Sequence, residues 1–193
     1  ELLNFCTVDL SAFYFDIRKD TLYCDAKNSK KRQSTILLLN IILNSLLKWF
    51  APILSFTTEE IYRLLFKDNK SIHLEKFLEF PKKFQNEKLN QKWLELIKIR
   101  NVCNISIEEK RATKEIGSSL EADLRIILNK NLQHISKDVD FSELCITSMA
   151  SASYEENCEI SVKTTKAKGT KCSVCWKINE SGCRRNICPK KIL

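Results

Sequence analysis

Ile36-Leu-Leu-Leu-Asn40-Ile-Ile-Leu-Asn44-Ser45-Leu-Leu-Lys48-Trp49-Phe50 is the longest apolar run in the chain, and its reading decides the fold. Leu39, Ile42, Leu43, Leu46 and Phe50 recur at helical spacing and define one face. A bilayer-spanning helix needs about 20 mostly apolar residues. Asn40, Asn44, Ser45 and Lys48 interrupt this run, so it reads as a buried core helix and no membrane partner is expected. Pro52 closes it soon after Phe50.

The flanking sequence repeats the pattern. Leu10, Phe13, Tyr14 and Ile17 fall on one helix face. Thr57 followed by Glu60 has the form of a capping box, opening a helix that carries Ile61, Leu64 and Leu65. Phe66 to Phe84 has no steady period and reads as a connection. Leu89, Trp93, Leu96 and Ile97 mark a fourth helix. Apolar stripes of this width bury against one another, which predicts a mainly α fold built on a helix bundle over residues 1–116.

The texture changes after Gly117. Leu124 to Leu128 is short and apolar, while Leu144 to Thr147 and Ile160 to Thr165 are rich in β-branched residues. These predict short strands in a small α+β element over residues 117–165. Thr164 to Lys171 reads as a polar, basic linker. A cysteine-rich tail over residues 166–193 completes the expected organisation.

Charge separates the tail from the body. The net charge is +8. Between Val162 and Leu193 stand nine bases and the single acid Glu180, so that stretch carries all of it. A neutral body with a cationic tail points to a polyanionic partner and disfavours a plain metabolic enzyme. With only three glycines, phosphate loops have almost no material, and neither a G-x-G-x-x-G nor a Walker-type loop occurs. His73 and His134 lie far apart, neither near a nucleophile or carboxylate pattern, and no convincing active site is present. The chain opens on Glu1 and its only methionine is Met149, so a piece of a longer protein is expected.

Four of the nine cysteines, Cys172, Cys175, Cys183 and Cys188, crowd into the tail. Cys172-Ser-Val-Cys175 is the spacing of a zinc knuckle, whose tight turn aims two thiolates at one tetrahedral ion. Cys188 offers a third ligand and Cys183 a fourth. A redox pair is a second reading of the C-x-x-C, though no thioredoxin-like βαβ pattern surrounds it. A third is a set of structural thiols without metal. No open coordination position or general base is evident, so a metal here is structural. Trp176, directly after the knuckle, either packs over the small core or offers a stacking platform for an unpaired base. Lys171, Lys177, Arg184 and Arg185 surround it and can meet phosphates, an arrangement that suits single-stranded RNA loops. The plainer reading of these residues is a solvated basic tail.

A resemblance rests on four blocks in order. They are Asp9 to Asp25, Trp49-Phe-Ala-Pro52-Ile-Leu-Ser-Phe56-Thr-Thr-Glu-Glu60-Ile, Ile116-Gly-Ser-Ser-Leu120-Glu-Ala122, and Lys171-Cys172-Ser-Val-Cys175-Trp176-Lys177. Together they resemble the anticodon-binding and zinc-binding C-terminal region of bacterial isoleucyl-tRNA synthetases, over nearly the whole chain. The resemblance implies a class I synthetase, monomeric and cytoplasmic, that uses ATP to join isoleucine to its tRNA. It implies that the ATP-using catalytic domain and the editing domain lie outside this chain. It implies one zinc, and an anticodon stem-loop gripped here with Trp176 stacking. Two departures stand out: Lys191 replaces the last member of the family's second cysteine pair, and Val174 stands where an arginine often precedes the second knuckle cysteine. Two other functions fit the residues: a stand-alone RNA-binding module without ligase activity, and a structural helical adaptor.

Overall fold

The computed structural model describes residues 1–66, 70–180 and 183. They fall into two units: residues 27–85, and residues 1–26 together with the described residues from Asn86 onward. The chain is mainly helical, with a small sheet region and a cysteine cluster towards its C-terminus. No described helix is long and apolar enough to cross a membrane.

In the larger unit, a short turn α1 (Leu2–Asn4) runs into a π-wound segment, Phe5–Phe15, and then into α2 (Asp16–Cys24). Leu10 and Ile17 from the anticipated face are buried, and Phe13 and Tyr14 are half-buried. The smaller unit holds α3 (Lys30–Phe50) and α4 (Ser55–Phe66). Ser29 caps α3 by accepting the Arg32 N–H. Leu47, Ala51, Tyr62 and Ile72 form this unit's core, with Leu43 against it. Lys48 is buried there and pairs with Glu75 at 3.2 Å.

The capping box at Thr57 does not form. After Pro52 the chain keeps turning, with the Leu54 N–H bonded to the Phe50 carbonyl, so α4 begins at Ser55. Thr57 is therefore already inside the helix, and Thr58 donates its hydroxyl back to the Leu54 carbonyl. Glu59, freed from the helix start, accepts hydrogen bonds from the Ser71 hydroxyl and the Ile72 N–H at 2.9 Å each.

The helix signalled by Leu89 to Ile97 is α5 (Glu87–Ala112), and it runs far beyond that signal. Leu96, Ile99, Cys103 and Ile107 are its buried face, at intervals of three and four residues. It ends where Lys114 adopts a positive φ of 60° and the Glu115 N–H reaches the Lys110 carbonyl, a Schellman closure.

β1 (Ala122–Asn129) alternates strictly, with Ala122, Leu124, Ile126 and Leu128 buried. It is the central strand, parallel to β2 (Met149–Glu155) and antiparallel to β3 (Ser161–Lys166). The crossover from β1 to β2 carries α6 (Gln133–Ser136) and α7 (Phe141–Leu144). Asp140 caps α7 by accepting the Ser142 and Glu143 N–H groups. The buried faces of α5 and β1 share one core with Phe141, Leu144 and Cys145. Each buried Leu or Ile there contributes about 1.5–3 kcal/mol. Polar ties add direction: the Ser106 and Thr164 hydroxyls meet at 2.7 Å, and Arg100 donates to the Leu144 carbonyl at 3.0 Å.

The strand anticipated at Leu144 to Thr147 is a helix end instead. Ile146 takes a positive φ of 56°, and the Thr147 N–H reaches the Ser142 carbonyl. That closure consumes the backbone groups a strand would have used. The second strand forms later, over the weakly apolar Met149–Glu155, because β1 supplies its partner.

Candidate metal centre

β4 (Thr170–Lys171) pairs antiparallel with β5 (Ile178–Asn179), and the loop between them is the knuckle. Gly169 leads into it at φ 121°, and a Cβ there would sit 2.3 Å from the Asn179 carbonyl group, so only glycine fits. The Cys172 N–H donates to the Lys177 carbonyl at 2.9 Å, and the Trp176 N–H donates to the Cys172 carbonyl at 3.0 Å. Trp176 itself has a φ of 61°. The hairpin is anchored below: the Ile178 N–H donates to the Ser148 hydroxyl at 2.6 Å, and that hydroxyl donates to the Leu120 carbonyl.

This loop brings Cys172 and Cys175 together, and Cys183 joins them. All three sulfurs lie within 4.8 Å of one another. Cys175 and Cys183 are 3.7 Å apart. Two sulfurs bound to one tetrahedral zinc at about 2.3 Å each stand about 3.8 Å apart, which this pair matches. The Val174 N–H points at the Cys172 sulfur at 3.4 Å, a bond that favours a thiolate. Burial, together with the neighbouring Cys172 and Cys183 sulfurs, pushes the Cys175 thiol up to about 12. The Cys175 thiol resists ionising by itself, and a bound dication reverses that preference. The donor set therefore fits a soft, tetrahedral ion. Cys188 lies outside the described residues, as do Arg184, Arg185 and Lys191.

The other sequence candidates divide by exposure. Trp176 is 61% exposed, so it does not pack over the knuckle, and Val174 beside it is also exposed. Lys171 lies 3.4 Å from Glu121. The Gly117 N–H, with help from Lys171, holds the Glu121 carboxyl below its ordinary range. Lys177 lines a cavity of about 430 Å³ with Asp140, Ser148, Asn179, Cys175 and Cys183. Cys103 and Cys145 are core thiols of the larger unit, and the bond from Cys145 pushes the Cys103 thiol up. His134 donates its Nδ1–H locally to the Asn131 carbonyl at 2.8 Å, and His73 is exposed. Sequence reading passed over Cys24, which packs against Cys172 and Cys175 alongside Cys183. Nothing local to Cys24 signals this, since it sits at the end of a helix near the other terminus.

Residues 1–128 match the family described as the anticodon-binding domain of tRNA ligase. The chain belongs to that family of tRNA-ligase domains. Its similar relatives are more particular. It is 67% identical over 186 residues to the isoleucine–tRNA ligase of Pelagibacter ubique (strain HTCC1062), spanning 96% of this chain and 21% of that protein. The isoleucine–tRNA ligase of Agrobacterium fabrum (strain C58 / ATCC 33970) is 39% identical over 188 residues, spanning 92% of this chain and 19% of its own length. That of Mesorhizobium japonicum (strain LMG 29417 / CECT 9101 / MAFF 303099) is 45% identical over 148 residues, spanning 76% of this chain and 15% of its own length. The chain thus spans about a fifth of the length of the first two relatives.

Proposed function

We propose that this chain is the tRNA-binding C-terminal region of an isoleucine–tRNA ligase, and that it grips the anticodon stem-loop of isoleucine tRNA. The observation that carries this reading is the family match over residues 1–128, continued by likeness to isoleucine–tRNA ligases across 96% of the chain. The parent protein joins isoleucine to its tRNA with ATP, acting as a cytoplasmic monomer, and ATP is bound outside this chain. The contribution made here is positional. Binding energy gathered at the anticodon orients the acceptor end at a distant catalytic site.

The cysteine cluster supports a structural zinc held by Cys172, Cys175 and Cys183, with Cys188 as the further thiol that the tail's spacing offers. Zinc bound there would stiffen the hairpin that displays Trp176. The exposed indole of Trp176 stacks an unpaired base, and Lys171, Lys177, Arg184 and Arg185 meet neighbouring phosphates. The helices over residues 1–116 form the anticodon-binding bundle, the sheet over 117–165 joins it to the tail, and residues 166–193 are the zinc module.

The test compares binding of isoleucine tRNA with binding of the same tRNA carrying a changed anticodon. A loss of affinity on changing the anticodon is expected. Equal affinity would sink the reading and leave a general RNA-binding module or a helical adaptor.

A further inference from the structure

We propose that the cavity beside the knuckle is a pocket for one unpaired guanine of the bound RNA, read by Asp140 and Asn179. This rests on the RNA-binding reading of the tail and deepens it. The cavity holds about 430 Å³, within the range of about 300–1,000 Å³ that small ligands occupy. Its lining comes from elements that are distant in the chain. Lys177 and Asn179 stand on the knuckle hairpin, Met149 and Ala150 open β2, and Asp140 caps α7.

These groups keep hydrogen-bonding capacity that the fold does not use. Asp140 Oδ1 already accepts the Ser142 N–H at 2.9 Å, the Ser142 hydroxyl at 2.6 Å and the Glu143 N–H at 3.2 Å. Asp140 Oδ2 accepts no hydrogen bond among the described residues. Partial burial of Asp140 opposes its charge. The Ser142 and Glu143 bonds and the nearby Lys177 charge outweigh that and hold the carboxyl below its ordinary range. An ionised carboxylate is an acceptor only. The Asn179 side-chain amide likewise has no partner among the described residues. Its backbone is fixed by pairing with Thr170 and by the close approach of Gly169. Guanine answers this set because its Watson–Crick edge carries two adjacent donors, the N1–H and the N2 amine. Each of the other bases carries a donor at one position of that edge. One guanine donor meets Asp140 Oδ2 and the other meets the Asn179 carbonyl oxygen. Met149 and Ala150 give the ring a partly apolar wall, and Lys177 remains for the phosphate of the same nucleotide. A base without the second donor leaves an acceptor unmatched, which costs affinity.

The experiment titrates the zinc-loaded 193-residue chain against fluorescent pentaribonucleotides, UUGUU, UUAUU, UUUUU and the inosine form UUIUU, read by anisotropy. UUGUU should bind at least about tenfold tighter than UUAUU and UUUUU. UUIUU should fall between, because inosine keeps the N1–H and lacks the N2 amine. Asp140→Asn keeps the cap on α7, since asparagine also caps helix starts. It turns an amine towards the base where the carboxylate oxygen stood, and should erase the preference for UUGUU. Asn179→Ala should bring UUGUU and UUIUU to the same affinity. The wild-type chain tests the pocket without any variant: UUGUU bound no better than UUAUU, or UUIUU bound as tightly as UUGUU, overturns the proposal. A guanine preference that survives Asp140→Asn overturns it as well. A chain that distinguishes isoleucine tRNA from its anticodon-changed form yet treats the pentamers alike loses the pocket and keeps the RNA-binding reading. A chain that binds no RNA loses both.

Discussion

The Cys175 sulfur lies 3.7 Å from the Cys183 sulfur, although β5 intervenes between them in the chain. That separation is too long for a disulfide and matches two corners of a tetrahedral site. Replacing Cys183 by serine should remove most bound zinc, read by metal analysis of the purified chain. Unchanged zinc content would take Cys183 out of the site.

Trp176 takes a left-handed backbone conformation and is largely exposed. Trp176→Ala should weaken binding of the isoleucine anticodon stem-loop by about 1–3 kcal/mol while leaving zinc content unchanged. Titration by fluorescence anisotropy gives the number. The affinity should also fall with salt, at a log–log slope of about −0.7 per phosphate neutralised in a single-stranded loop.

Gly169→Ala places a Cβ against the Asn179 carbonyl group in a backbone conformation that alanine resists. The β4–β5 ladder should open and the cysteine cluster disperse. Zinc affinity measured by competition with a chromogenic chelator should fall, while the far-UV spectrum of the helices stays as it is.

Leu124→Ala empties a fully buried position beneath α5. A loss of about 2–5 kcal/mol is expected in urea unfolding. The same substitution at exposed Leu74 should change stability by less than about 0.5 kcal/mol.

Glu121 gains from the Gly117 N–H and Lys171, which favour its charged form in the folded chain. A carboxyl lowered on folding stabilises above its unfolded pKa, and that contribution is lost as pH falls through the folded one. Glu121→Gln should therefore cost about 0.5 kcal/mol at pH 7. The gap to wild type should close as the pH drops below about 4. A gap that persists at pH 3 would show that packing, not charge, is what Glu121 contributes.

The existence of the helices was legible from spacing, but the buried faces of α3 and α4 were not: α3 buries Thr35, Ser45, Leu47 and Lys48, and α4 buries Thr58 and Tyr62 while Ile61, Leu64 and Leu65 stay exposed. Helices at Leu39 to Phe50 and Leu89 to Ile97 announced themselves, and so did a short apolar strand at Leu124 to Leu128, within β1. Boundaries were less so: α4 starts at Ser55, not at the Thr57 signature, because backbone turning after Pro52 competes with a side-chain cap. The stretch from Leu144 to Thr147 has β-branched residues, yet a Schellman closure claims its N–H groups. The weakly apolar β2 becomes a strand only because β1 offers it a ladder.

At the site the same division holds. The sequence by itself pointed to the knuckle, since the C-x-x-C spacing is local geometry, and it placed the basic charge and Trp176 next to that knuckle in the chain. Only the tertiary structure decided which further sulfurs arrive there. Cys183 folds back beside Cys175, and the side chain of Cys24, at the end of α2, packs against the cluster. Contacts between elements distant in sequence are set by the packing of those elements on a shared core, and no residue pattern around Cys24 records that meeting.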